Sequence, residues 1–302
     1  AQGAAVTYRV PRLHQHYCTD SVLAMEFIEG FSVADPDVAR LSLERRNALA
    51  KGMLELFFYE VYEWGLLQTD PNFGNYLLRL DDRRKKVARD ELVLLDFGSV
   101  LECPDDFLYY LRLTIAAGQQ QDEAQLAEGL IGLGCLPEDA SAEARALFAQ
   151  FCMHLLEPLR PPEKLPPEYL NAQGEYRWGM SRLMQRAGKQ AAASTVNPHF
   201  TAPSREFALI ARKLSGVFNF IAVLDAQRIG GVLRVGAHRI AARELAEALE
   251  LAVVAHRQHD VPVARGEHLV GHDVDVGVAH ALGGRAADEV VAGLVGEHRH
   301  LH

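Results

Sequence analysis

Two short apolar runs, each ending in an acidic turn, constrain this 302-residue chain more than any bulk property does. In "QTDPNFGNYLLRL" (68–80), Asp70 precedes a proline and Asn75 follows five positions later, at the mouth of an apolar strand. In "ELVLLDFGSVLE" (91–102), a buried strand ends on Asp96, Phe97 and Gly98, 26 residues beyond Asp70. Taken singly these are ordinary: Asp-Pro and Gly-Asn are common turn dipeptides. In this order, each attached to its own strand, they give the spacing of kinase catalytic loops, Asp-x-x-x-x-Asn followed by a strand and Asp-Phe-Gly.

The chemistry suits the residue types. Phosphoryl transfer from ATP needs positioning and charge neutralisation more than covalent help. Mg²⁺ prefers hard oxygens, and a carboxylate and an amide oxygen both qualify. Asp96 at a strand end suits a carboxylate ligand, and Gly98 lets the backbone turn away from it. Asn75 offers an amide oxygen. Asp70 is placed to act as a base or to orient water.

The predicted organisation is mainly α with a small β component. "SVLAMEFIEG" (21–30) reads as a buried strand closed by a turn at Gly30, and 42–65 as a long helix capped by Gly65. The stripe Leu49, Met53, Leu56, Phe57 and Val61 is read as core. "DDRRKKVARDE" (81–91) is a charged hairpin with a solvated tip, contact with anionic lipid or a partner being the alternative. Three helices follow Pro104, with Pro137 and Ser141 as starts and Gly118 and Gly134 as stops. A Pro-rich surface loop (157–175) precedes a helix over 204–227. No internal repeat is evident.

Composition changes sharply near residue 229. Residues 229–302 contain no Ser, Thr, Asn, Lys, Phe, Tyr, Trp, Cys or Met, yet hold nine of the thirteen histidines. A segment without aromatic side chains has poor means of packing a core. The expected division is therefore a folded unit over 1–228 and an atypical tail over 229–302 outside the evolved fold. A metal site at His298, His300 and His302 is not expected.

Bulk properties exclude some functions. A net charge of −9 argues against a nucleic-acid surface. No apolar run approaches a membrane span, and "FNFIAVL" reads as core. The opening residues do not read as a signal peptide, and none is expected. Cys18, Cys103, Cys135 and Cys152 fit no zinc spacing and read as reduced thiols. Beginning at Ala1 with no Met, the chain need not be a complete gene product.

The sequence departs from ordinary protein kinases. Asn72 stands where they place a lysine on the γ-phosphate, and Gln68 and Pro71 replace the usual His and Leu. Only "SVLEC" separates Asp-Phe-Gly from Pro104, with no Ala-Pro-Glu segment to hold a peptide.

In "YRVPRLHQHYCTDSVLAMEFIEGF", "GLLQTDPNFGNYLL", "LVLLDFGSVLE" and "PPEYLNAQGEYRWGMSRLM", the chain resembles the UbiB-like atypical kinases (AarF-domain proteins) over residues 8–226. The Gln-Thr-Asp-Pro-Asn form is similar to the branch supporting coenzyme Q biosynthesis. The resemblance implies a protein-kinase-like C-terminal lobe with the N-lobe missing, Asp70 as the catalytic-loop acid, and Asn75 and Asp96 as metal ligands. It makes Met25 to Ile28 the hinge, with backbone groups of Glu26 and Ile28 meeting adenine. ATP and Mg²⁺ are the implied cofactors. Isoprenoid quinone precursors and quinone-biosynthesis proteins are the implied partners, for a cytoplasmic protein in peripheral contact with the inner membrane. Because the family's N-lobe supplies half of the nucleotide cleft, the isolated chain is expected to bind Mg-ATP weakly. Two other readings stay open: a catalytically inactive scaffold, and an aminoglycoside- or choline-kinase-like phosphotransferase.

Overall fold

The computed structural model describes residues 6–19, 21–80, 89–195 and 203–227. The tip of the charged hairpin and the tail from residue 228 onward, with its histidines, lie outside the described residues. Five short strands and eight α-helices make up the described part, which is helix-rich as the sequence predicts.

The strands form two small ladders. β1 (Thr7–Arg9) runs parallel to β4 (Glu91–Leu94), which pairs antiparallel with β3 (Tyr76–Arg79). β2 (Leu66–Gln68) pairs antiparallel with β5 (Val100–Glu102). The chain thus crosses from the small ladder to the larger one through residues 69–75 and returns through 95–99. Both acidic turns are connectors between the same two ladders, and this brings them side by side.

α1 (Pro36–Ala39) and α2 (Leu43–Tyr59) precede these strands. The Ser42 hydroxyl accepts from the Arg45 N–H and caps α2. Leu49, Met53, Leu56, Phe57 and Val61 are all buried, so the predicted stripe is core. The long helix does not stay α-helical to its end: Glu60–Trp64 widens into a π-turn, closed by Gly65 at φ 65°. That one-turn widening turns Glu60 into the interior, where it is 2% exposed.

α3 (Asp105–Gln120), α4 (Glu123–Gly132) and α5 (Ala142–Leu155) follow β5 after only two residues. The helices begin where an activation segment would otherwise lie. Further on come α6 (Trp178–Ser181), α7 (Leu183–Thr195) and α8 (Arg205–Val223). α8 is capped by the Ser204 hydroxyl, buries Phe207, Ile210, Leu214, Val217, Phe218 and Ile221, and packs against α2. The "FNFIAVL" run is therefore half-buried core: Phe218, Phe220, Ile221 and Leu224 are buried, while Asn219 and Val223 are exposed.

Three local expectations are corrected. Residues 21–30 form isolated bridges and no strand, because Leu13 and Met25 pair at a single position. Gly30 closes no turn. It lets the chain pass against β3, where a Cβ would come within 2.9 Å of the Leu77 Cβ. Gly118 does not end its helix: α3 continues to Gln120, and the glycine makes room for Leu156. Pro137 starts no helix either, since α5 begins after the Ser141 cap.

Candidate active site

The two connectors are pinned together at both ends. At one end the Ser99 carbonyl accepts from the Thr69 N–H at 2.8 Å and from the Thr69 hydroxyl at 3.1 Å. At the other the Leu95 N–H donates to the Asn75 carbonyl at 3.0 Å, continuing the β3–β4 ladder. Asp70 follows the first pin and Asp96 the second. Asn75 stands at the second pin yet reaches back across the loop: its Nδ2 donates to the Asp70 carboxylate at 2.9 Å and to the Asp70 carbonyl at 3.2 Å. Asp70, Asn75 and Asp96 thus flank one short stretch of paired backbone.

The side chains are presented in different ways. Asp96 turns one carboxylate oxygen onto the Gly98 N–H at 2.7 Å, and its other oxygen accepts no hydrogen bond from the described residues. Asn75 spends its two N–H donors on Asp70, so its Oδ1 faces away as an acceptor. Asp70 has both oxygens engaged, one by Asn75 and the other by Arg212 of α8 at 2.8 Å. Its carboxylate is 31% exposed and the guanidinium beside it 56%. Asn72 caps the turn, its Oδ1 accepting from the Gly74 N–H.

A buried network lies beneath the loop. Lys213 of α8, 1% exposed, donates to Glu60 at 3.1 Å, to the Gln68 side-chain oxygen at 3.2 Å and to the Tyr76 hydroxyl at 3.1 Å. Burial opposes the Lys213 charge, but Glu60 and Tyr76 outweigh it and hold the ammonium above its ordinary range. Burial pushes Glu60 up to about 7 against the pull of Lys213. One Glu60 oxygen has no hydrogen-bond partner.

The segment that the resemblance reads as the hinge sits against the same ladder. Phe31 exchanges two backbone hydrogen bonds with Leu78 of β3, at 2.8 and 2.9 Å, which fixes the preceding segment beside the loop. The Glu26 N–H donates to the Arg12 carbonyl. Desolvation raises its carboxylate, but the Arg12 N–H and the guanidinium groups of Arg9 and Arg12 together outweigh it and hold the group below the usual range. Neither the Glu26 carbonyl nor the Ile28 N–H has a hydrogen-bond partner among the described residues.

Sequence reading did not single out Glu60, Arg212 or Lys213. A signal was available, because Lys213 falls on the apolar stripe Ile210–Leu214–Val217 and Glu60 on the stripe Leu56–Phe57–Val61. A charge on the buried face of each of two helices predicts a buried pair.

Residues 3–130 match the family model described as ABC1 atypical kinase-like domain. The chain is 26% identical over 209 residues to the probable serine/threonine-protein kinase abkA of Dictyostelium discoideum, covering 69% of this chain and 35% of that protein. It is 27% identical over 153 residues to the mitochondrial atypical kinase COQ8 of Saccharomyces cerevisiae, covering 51% and 29%. It is also 27% identical over 223 residues to the mitochondrial atypical kinase COQ8B of Rattus norvegicus, covering 72% and 38%. The chain therefore spans about a third of the length of the curated relatives it matches. Among solved structures, the Rv3197–erythromycin complex from Mycobacterium tuberculosis shares the fold with a TM-score of 0.50 at 19% identity, over 82% of this chain and 53% of that one.

Proposed function

The chain belongs to the UbiB-like family of ABC1 atypical kinases, and from that membership we propose that it forms the catalytic-loop side of a Mg-ATP-dependent kinase or ATPase supporting ubiquinone biosynthesis. The observation that carries the reading is the double pinning of the connectors, with Asn75 bridging to Asp70.

The donor set fits a hard divalent cation. Asn75 Oδ1 and the second Asp96 oxygen are one amide oxygen and one carboxylate, a set that leaves water and phosphate to complete the coordination Mg²⁺ prefers. Among the described residues no three His, Cys, Asp or Glu side chains cluster, so an all-protein cage is not what this site offers. Mg²⁺ bound there would supply charge neutralisation to the phosphates of ATP. Asp70 accepts the proton of the attacking hydroxyl or orients an attacking water, and Arg212 must release its oxygen for that role. The Glu26 carbonyl and the Ile28 N–H provide an acceptor and a donor for adenine.

The names of the COQ8 relatives motivate the quinone setting, with isoprenoid precursors and biosynthetic proteins as partners. Among the described residues no helix is long and apolar enough to cross a membrane, and we place the contact with the membrane at its periphery.

The test combines Mg²⁺-dependent ATP hydrolysis with Mn²⁺-induced broadening of the Asn75 and Asp96 NMR signals. Asp96→Asn should weaken Mn²⁺ binding at least about tenfold, and Asp70→Asn should lower turnover by roughly 10²–10⁴-fold. Broadening that is indifferent to Asp96→Asn sinks the reading.

One observation favours a second reading, a scaffold that hydrolyses nothing: both Asp70 oxygens are already occupied. In a form of the protein that carries the N-lobe, background-level ATP turnover in both the wild type and Arg212→Ala would decide for the scaffold.

A further inference from the structure

A lysine with almost no exposure is an expensive choice for a helix face. Replacing a buried ion pair with packed apolar side chains is often neutral or stabilising, so stability alone gives little reason for Lys213 and Glu60 to be there. What Lys213 touches is more informative. Two of its three partners flank the loop that carries Asp70: Gln68 is two residues before Asp70, and Tyr76 directly follows Asn75. One ammonium group thus ties down both ends of the connector.

We propose that Lys213 is a positioning residue for the catalytic loop, acting through the Gln68 amide to set the backbone at Asp70. The inference rests on the reading of Asp70 as the catalytic carboxylate and deepens it. The Gln68 side-chain oxygen accepts from Lys213 at 3.2 Å and from the Tyr76 hydroxyl at 3.1 Å. With that oxygen taken by two donors, the amide has only one sensible orientation: Nε2 points to the Asp70 carbonyl, which it meets at 2.7 Å. Without the ammonium, nothing charged opposes a flipped amide, and a flipped amide would put its oxygen against the Asp70 carbonyl. Glu60 is the counter-charge that lets the ammonium stay buried at 3.1 Å. The device uses parts that are distant in sequence, since α8 begins at Arg205 and the family model ends at residue 130.

The experiment is amide hydrogen exchange on the full chain, resolved by residue, in wild type, Lys213→Met and the double variant Lys213→Met/Glu60→Leu. The double variant removes both charges and keeps the volume apolar, so its thermal stability should return toward that of the wild type. If Lys213 positions the loop, exchange at Thr69 and Asn75 stays about tenfold faster in the double variant, as for loss of a buried hydrogen bond to a charged group. Exchange in α3 and α5 stays unchanged. Loop exchange at the wild-type rate in the double variant overturns the proposal. A wild-type measurement guards against variants that fail to fold: the Gln68 side-chain amide protons should be protected, and exchange as fast as in an exposed glutamine overturns the proposal equally. None of these readouts needs metal or ATP. Failure of the Asp96→Asn test would therefore fall on the site reading, and failure here on Lys213.

Discussion

Gly216 gives the sharpest test of whether α8 seats the loop that carries Asp70. An added Cβ there would lie 1.9 Å from the Pro71 Cβ, 2.7 Å from its Cγ and 3.3 Å from its Cα. Ordinary carbon contacts begin at about 3.5 Å, so Gly216→Ala must move the proline or the helix by roughly 1.6 Å. Pro71 cannot swing aside as a flexible side-chain tip would, because its ring is fused to a backbone pinned at Thr69 and Asn75. Overpacking of this kind costs about 1–3 kcal/mol, and the rigid partner argues for the upper end. The better helix propensity of alanine returns about 1 kcal/mol. The net loss is about 2 kcal/mol, or roughly 4–8 °C in Tm for a folded unit of this size. Gly188 on α7 is the internal control, since an added Cβ there meets nothing within 4 Å. Gly188→Ala should gain about 0.5–1 kcal/mol. Differential scanning calorimetry of both variants, with Mn²⁺ broadening at Asn75 as the site readout, checks the argument. If Gly216→Ala is as stable as Gly188→Ala and binds Mn²⁺ like wild type, Pro71 does not rest on α8 and the reasoning fails.

Glu60 should impose a pH dependence on stability. Its folded pKa of about 7 lies above the ordinary 4.5, so its contribution is complete below about pH 4.5 and is lost as pH rises through 7. A 2.5-unit difference is on the order of 3 kcal/mol. Of the groups facing it, burial raises the Tyr76 phenol and the Cys103 thiol out of that window, and Lys213 is coupled to Glu60, whose charge opposes the effect of burial on the ammonium. Urea unfolding from pH 4.5 to 8 should show that decline in wild type and lose it in Glu60→Gln, which keeps only the opposite trend from His154, whose pKa burial lowers. Thiol labelling of the native chain at pH 7.5 should modify Cys18 well before the others. Cys103, Cys135 and Cys152 are buried, and desolvation raises the first two to about 11 and about 12 and Cys152 further. Equal labelling of all four would refute the packing around α4 and α5.

What the sequence disclosed followed from local rules. Asp70, Asn75 and Asp96 stood out because each occupies a turn fixed by its own strand, and strand ends can be read from short apolar runs. Ser141 read as a helix start because a capping hydroxyl acts within three residues. The misses have a different cause. Residues 21–30 have the composition of a strand, but a strand needs a partner along its length, and Leu13 supplies one position only. Gly118 looked like a helix stop because glycine weakens helices; here the missing Cβ serves a contact with Leu156, 38 residues away. The proposed hinge at Met25 to Ile28 rests on the family resemblance. Nothing in "MEFIEG" alone says which carbonyl will lack a partner.

The division between legible and illegible parts falls inside the site itself. The groups proposed to meet metal and phosphate lie within 27 consecutive residues, 70–96, and sequence spacing exposes them. The groups that hold those residues in place come from the end of α2 and from α8, on either side of that span. A supporting contact of this kind has no spacing rule, because two helices can deliver a lysine and a glutamate to one point from any separation in the chain. It leaves one trace, a charge where the helical period demands an apolar side chain. Lys213 beside Leu214 and Glu60 beside Val61 are both such violations. An unpaired charge in either helix would be removed by selection for stability, so two violations in one chain predict each other. Searching this chain for charges on buried helical faces would have led to the floor of the catalytic loop without any knowledge of what the loop does.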